Sequence, residues 1–184
     1  MASLPKQTMT HPLNQTTMTH PLNQTMPNKI SLSGFHYKYV VQLAPGKGKA
    51  VFTTEPIKAR SKVWSPTYVK TYDEKEFEKR IEGLSETKIK YLLNHVYGKN
   101  NKLIECLGDG EYVNHSKTNN NICDGMGLDP PIDDNHECCY ATRDILAGEE
   151  LVDNYSYYDN PQWYLDLCKK YDVKSAKDVV ELYD

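Results

Sequence analysis

The sequence predicts a mainly β domain carrying a small helical insert: several short twisted sheets, followed by C-terminal helices. Three observations lead there. From Phe35 onward, short apolar and β-branched pieces alternate with glycine or proline turns. Residues from about 71 to 98 instead carry helix caps and helical apolar spacing. Beyond them the short strands resume, and two helix starts appear near the end. No single period organises the chain, which implies an irregular β-rich fold.

Taken in order, "MTHPLNQT" at residues 9 to 16 recurs at 18 to 25. This polar, proline-containing repeat has no periodicity, so residues 1–33 read as a disordered tail, either a dispensable extension or a docking motif. Asn14 and Asn23 lie in N-x-T sequons but are expected to stay unmodified without a secretion signal. The main domain is placed at 34–172. It opens with strands in "YKYVVQLA", "KAVFTTEPI" and "SKVWSPTYVKTY", the first two joined by a turn at Pro45-Gly46. Thr71 with Glu74 predicts a capping box for a helix through about Ile81. Ser85 predicts the cap of a second helix, whose Ile89, Leu92, Leu93 and Val96 make one apolar face.

After the insert, "KLIECLG" and "CCYATRDI" read as strands, the latter turning at Ala147-Gly148 into "EELVDNYSYY". Asn160 before Pro161 predicts a helix start, cap and then proline, running to about Tyr171. A last helix, in a C-terminal extension of 173–184, is predicted from Ser175 with Asp178 in its first turn.

Charge and cysteines narrow the function classes. The net charge is -3, and the first 33 residues hold Lys6 and Lys29 with no acid, leaving 20 basic against 25 acidic residues, or -5. That balance argues against nucleic acid as a direct partner and suits a cationic one. No apolar run approaches the ~20 residues of a membrane span. The expectation is therefore a soluble intracellular protein, nuclear or cytoplasmic. Cys106, Cys123, Cys138, Cys139 and Cys168 form no CxxC pair, so neither a disulfide framework nor a zinc site is expected. A small metal-binding domain built on His136, Cys138 and Cys139 is a third reading, disfavoured because adjacent cysteines on a strand face opposite ways.

Three stretches carry chemistry when taken together. "GKGKAVFTTEPIKA" supplies a Gly-x-Gly turn, "GDGEYVNHSKTNNN" supplies Asn-His-Ser, and "TRDILAGEELVDNY" supplies Gly-Glu-Glu-Leu and a tyrosine. In this order and spacing, over about residues 38 to 172, the chain resembles the SET domain family of protein-lysine methyltransferases. The resemblance implies the SET fold, of β-clip type, with S-adenosylmethionine as cofactor and lysine in a histone tail or another basic protein as substrate. A catalytically inactive SET-like module that binds protein partners is the alternative, and a monomer is expected.

Residue by residue, the resemblance implies that Gly46, Lys47 and Gly48 form the first cofactor element. Asn114 and His115 match the Asn-His pair that contacts the cofactor from a segment threaded in a pseudoknot, with Ser116 and Asn120 satisfying its backbone. Tyr155 aligns with the catalytic tyrosine, where amine, methyl and carbonyl oxygens converge. Tyr112 and Tyr157 are candidates to line the lysine channel with it. An apolar, aromatic channel beside a cationic sulfonium lessens the cost of a neutral lysine, roughly 4 to 5 kcal/mol at pH 7 from an unperturbed pKa of about 10.4.

The chain also departs from the family. Glu111-Tyr112 stands where Arg-Phe is common, and Lys117-Thr118-Asn119 where Cys-x-Pro is common. Asp153 occupies the position at which a Phe or Tyr governs how many methyls are added, and is assigned to the channel; the number of methyls is not readable. No cysteine-rich zinc segment follows; "NPQWYLDLCKKY" stands there instead. Trp163 is assigned to cover the adenine, against an equal expectation that it joins Leu167 and Tyr171 in a packing stripe. The acidic stretch with Asp124, Asp129, Asp133, Asp134 and Glu137 is either a solvated loop or a lure for a lysine-rich peptide.

Overall fold

The structure, a computed structural model, describes residues 33–132 and 137–183. The repeated N-terminal segment, Asp133, Asp134 and His136 lie outside the described residues.

β1 (Tyr39–Ala44) and β2 (Gly48–Thr53) form an antiparallel hairpin, in register from Tyr39 opposite Thr53 to Ala44 opposite Gly48. Gly46 at φ 75° and Gly48 at φ 83° make its turn, in a region where a side chain would be strained. β3 (Lys62–Trp64) follows, then β4 (Val69–Tyr72), which leads into α1 (Glu74–Ile81). The capping box belongs to Asp73 and Glu76, not to Thr71 and Glu74. Asp73 Oδ1 accepts from the Glu76 amide at 2.9 Å, and the Asp73 amide donates to Glu76 Oε2 at 2.9 Å. Thr71 is committed to the sheet opposite Ile104, so the same residue pattern two positions on starts the helix.

Ser85 does precede α2 (Glu86–Asn94), although its side chain makes no cap bond. Ile89, Leu92 and Leu93 are buried, as the periodicity requires, but Val96 already belongs to β5 (Val96–Lys99). β6 (Lys102–Cys106) runs between β4 and β5 in a three-stranded antiparallel sheet. β7 (Asn114–His115) lies within the polar motif, and β8 (Ile122–Asp124) ends it. β9 (Cys139–Ala141) sits between β3 and β8, and β10 (Val152–Asp153) pairs in parallel with β7. α3 (Gln162–Lys170) begins one residue later than the Asn-Pro signal implies: Pro161 is the cap, and Asn160 turns its amide to the Tyr158 carbonyl at 3.0 Å. α4 (Ala176–Tyr183) starts as expected, Ser175 and Asp178 bonding each other reciprocally at 2.8 and 3.2 Å.

Two apolar clusters hold these pieces. Phe77, Leu93, Leu103 and Tyr164 are essentially inaccessible and join the helical insert, the β4–β6–β5 sheet and α3. Val51, Ile57, Val63, Ile122, Ile145 and Leu151 join the hairpin to the β3–β9–β8 sheet. Each such side chain contributes roughly 1.5–3 kcal/mol of burial.

Beside the first cluster, Glu105 is 9% exposed and accepts from Tyr72 Oη at 2.6 Å and from Arg80 Nη2 at 2.9 Å. Burial pushes its carboxyl up, but the bonds from Arg80 and Tyr72 outweigh it and hold the carboxyl below its usual value. Arg80→Leu is expected to cost about 2 kcal/mol at pH 7, because a buried carboxylate loses its partner while Arg80 itself is partly solvated. A depressed carboxyl stabilises above its unfolded pKa of about 4.3 and loses that contribution as pH falls through its folded value. Urea unfolding of both proteins should therefore show the gap close in acid.

Candidate active site

The site is assembled around β7 and β10, in which Asn114 pairs with Val152 and His115 with Asp153. Asn121, 1% exposed, locks the pair: its Nδ2 donates to Glu150 O at 2.8 Å and its Oδ1 accepts from Val152 N at 2.9 Å. Its backbone amide also donates to Val152 O at 3.0 Å. The amides of the polar motif thus pay for buried main chain.

Past β10 the chain makes a single 3-10 turn, Tyr155–Tyr157, because Asn154 Oδ1 accepts from Ser156 N at 3.0 Å and from its hydroxyl at 2.7 Å. His115 Nδ1 accepts from the Tyr155 amide at 3.0 Å, and Tyr155 Oη donates to Val113 O. Tyr155 is therefore held at both ends by the β7 segment. Its ring stacks on Tyr158 at 5.0 Å, which stacks on Tyr97 at 5.0 Å, and His115 lies 5.1 Å away on tilted planes.

Two cavities flank this assembly. One, of 360 Å³, is bounded by Lys47, Gly48, Lys49, Asn114, Tyr112 and Tyr155, with Tyr91 and His95 of the helical insert opposite. The other, of 340 Å³, includes Tyr97, Asp153, Tyr155, Tyr157 and Tyr158 in its wall, with Ala176 and Val179 of α4. Tyr155 borders both, as do Asn94, His95 and Glu111.

The cavities differ in charge. Around the first, Lys47 Nζ reaches Glu150 Oε2 at 3.2 Å, and Asn114 Nδ2 donates to Glu150 Oε1 at 2.9 Å and to Lys49 O at 3.2 Å. Lys49 Nζ lies over the Tyr112 ring, 4.5 Å from its centroid. The second cavity is bordered by Glu111, Asp124, Glu137, Asp153 and Asp159 against Lys99 and Lys174, a lining that favours a cation.

Burial pushes the Tyr155 phenol up, and the nearby Asp153, Cys106 and Glu150 push the same way, so it remains protonated and donates. Asp153, 7% exposed, is also pushed up by burial. Bonds from Tyr158 Oη at 2.8 Å and from Asn154 N at 2.7 Å work against that without cancelling it. Cys106, at the second cavity, is pushed up to about 12 by burial and is therefore a thiol. Among the described residues no group of metal-ligating side chains converges.

Most of the predicted site residues come together, though not always as assigned. Lys47, Gly48 and Asn114 share the first cavity, and Asp153, Tyr155 and Tyr157 share the second. Tyr112, assigned to the lysine channel, borders the first cavity, where Lys49 Nζ donates to its hydroxyl at 3.2 Å. Gly46 shapes the hairpin turn and borders neither cavity, and His115 spends its Nδ1 on Tyr155. Trp163 packs on Phe77 at 6.0 Å beside Leu167 and Tyr171 against the helical core, and borders neither cavity. The physical reason is the helix phase: Trp163, Tyr164 and Leu167 all turn to the insert's apolar cluster. Tyr97, Tyr158, Lys49 and Glu150 were not assigned by sequence. Only Glu150 carried a signal there, as part of Gly-Glu-Glu-Leu.

Comparison with known proteins gives the class. The SET domain family matches residues 48–156, more than half of the chain. The protein belongs to the SET domain family. A Plasmodium falciparum protein described as a candidate histone methyltransferase matches in structure with 18% identity and a TM-score of 0.44, over 66% of this chain and 95% of that one. A chain of ctPRC2, in an autoinhibited conformation bound to S-adenosylmethionine, matches with 22% identity and a TM-score of 0.48 over 73% of this chain. Only 17% of that chain is covered. No curated protein matches the sequence.

Proposed function

We propose that the protein transfers a methyl group from S-adenosylmethionine to the side-chain amine of lysine in a histone or another basic protein. One observation supports this above others: Tyr155 stands in the wall between two cavities of opposite character. A reaction between two separately bound partners needs their sites to adjoin, as two cavities that share lining residues do.

The residues of the 360 Å³ cavity fit the cofactor. Lys47 and Lys49 offer cations for its carboxylate, Asn114 offers its acceptor oxygen, and Tyr91, His95 and Tyr112 offer ring faces for a base. Its size lies at the low end of ~300–1,000 Å³ for ligand sites. When bound, a sulfonium supplies an activated methyl, so the protein need provide mainly approach and environment. Lys47, Gly48 and Asn114 are assigned to hold it, with Gly46 shaping the turn that presents them. Tyr155 fixes the Val113 carbonyl at the junction, and Tyr97, Tyr157 and Tyr158 guide the amine along the acidic cavity. The protein is proposed to act as a monomer.

The test is incubation with radiolabelled S-adenosylmethionine, mixed histones and whole-cell extract, with cofactor binding measured by calorimetry. Labelled protein and measurable binding are expected; neither binding nor transfer would sink the proposal. Peptide capture without transfer would instead assign an inactive binding module. Asn114→Ala is expected to weaken cofactor binding about tenfold, a loss of ~1.4 kcal/mol. An unchanged dissociation constant would return Asn114 to a purely structural role.

A further inference from the structure

Asp153 is a buried carboxylate in the wall of a cavity whose stacked rings are tyrosines, a combination that water-filled clefts do not require. Its two oxygens are oriented separately, Oδ1 by the Asn154 amide at 2.7 Å and Oδ2 by Tyr158 Oη at 2.8 Å. A carboxylate oxygen has room for more than one donor, so these bonds leave each oxygen with acceptor capacity. Tyr158 is in turn fixed between the Tyr97 and Tyr155 rings. The carboxylate is held in place before any ligand arrives.

We propose that Asp153 is the proton acceptor for the substrate amine: an alkylammonium entering the 340 Å³ cavity pairs with its carboxylate and gives up one proton to it. An N–H bond breaks, an O–H bond forms on Asp153, and the nitrogen keeps the electron pair with which it attacks the methyl donor. The inference rests on the amine-methylating reading above. In water the transfer would run uphill, an ammonium near 10.4 facing a carboxyl near 3.9. Burial raises the acid and lowers the amine, by up to ~3–5 units each for fully buried groups, so their order can invert in this cavity.

The elements packed on Asp153 set its charge. On β7, His115 favours the carboxylate; on β8, Asp124 disfavours it. Tyr155 and Tyr158 on the 3-10 turn, and Tyr97 on β5, are protonated because burial raises them all. Cys123 of β8 and Cys139 of β9 are thiols for the same reason. No described lysine or arginine is hydrogen-bonded to Asp153, which leaves it suited to the cation that enters.

The experiment has two arms. In the first, transfer to mixed histones is followed against pH for the wild type, Asp153→Asn and Tyr158→Phe. A base must be unprotonated, so the wild-type rate falls in acid through the Asp153 pKa. Asp153→Asn should lose that limb and fall at least ~10²-fold in rate. Tyr158→Phe keeps the stacked ring but removes a bond that lowers the Asp153 pKa, so its acid limb should move to higher pH. In the second arm the carbon-13 carboxyl resonance of Asp153 is watched while n-butylamine hydrochloride or n-butanol is added. The ammonium should perturb the resonance and the alcohol should not; this arm needs no turnover and stands even if methyl transfer fails. An Asp153→Asn enzyme with an unchanged pH profile, or a carboxyl resonance indifferent to n-butylammonium, would overturn the proposal.

Discussion

Tyr155→Phe is expected to reduce methyl transfer about 10²-fold while leaving cofactor affinity within a factor of ~3, since releasing the carbonyl it holds misplaces a reacting centre by ~1 Å, which costs that much. The reason lies in where the hydroxyl points. Tyr155 Oη donates to Val113 O at the junction of two cavities, and burial keeps it protonated. Phenylalanine retains the stacking on Tyr158 and the amide bond to His115, so the turn should survive. The variant loses one partly buried hydrogen bond, a cost of roughly 1 kcal/mol in stability. Single-turnover transfer beside calorimetric binding separates the effects. Equal transfer by the variant would spare the enzyme and remove Tyr155 from its role; a collapsed thermal transition would mean that the loss was structural.

The second large effect is expected at Gly98. A Cβ there would overlap the Asp159 carbonyl oxygen, 2.7 Å from the Asp159 carbonyl carbon and 2.9 Å from Pro161 Cδ. Two backbones meet at this point: β5 carries Tyr97, and the chain leaving the Tyr155–Tyr157 turn carries Tyr158. Gly98→Ala forces them apart. Because the obstacle is main chain, the cost should exceed the ~1–3 kcal/mol usual for overpacking. At ~2–4 °C per kcal/mol for a chain this size, a fall in melting temperature of roughly 6–12 °C is expected by calorimetry. The Tyr97–Tyr158–Tyr155 stack should loosen with it, so transfer should fall even where the variant stays folded. A melting temperature within about 2 °C of the wild type would refute the close approach.

How much could be read in advance varied with the kind of evidence a residue carries. The helical insert was legible because Ile89, Leu92 and Leu93 repeat at helical spacing whatever surrounds them. The sequence sets its first cap two residues early, since Thr71 and Asp73 carry equivalent signals and only the pairing of Thr71 with Ile104 decides between them. Val96 continued the helical pattern and yet opens a strand, because a buried apolar residue satisfies either element. Tyr97 and Tyr158 had no motif to mark them. A tyrosine in a strand and another in a turn become a stack only when β5 lies beside the segment after β10.

The sequence by itself determined the family, the positions of Asn114, His115 and Tyr155 in its motifs, and the existence of the helices, because motif spacing and apolar periodicity are properties of short stretches. The tertiary structure alone decided what those residues face. It turned His115 to the Tyr155 amide, set Tyr112 beside Lys49, packed Trp163 against Phe77, and buried Asp153 under Tyr158. Each of those pairings except the last spans forty or more positions. Which partners meet across such distances is settled by sheet register and core packing, which no local pattern encodes.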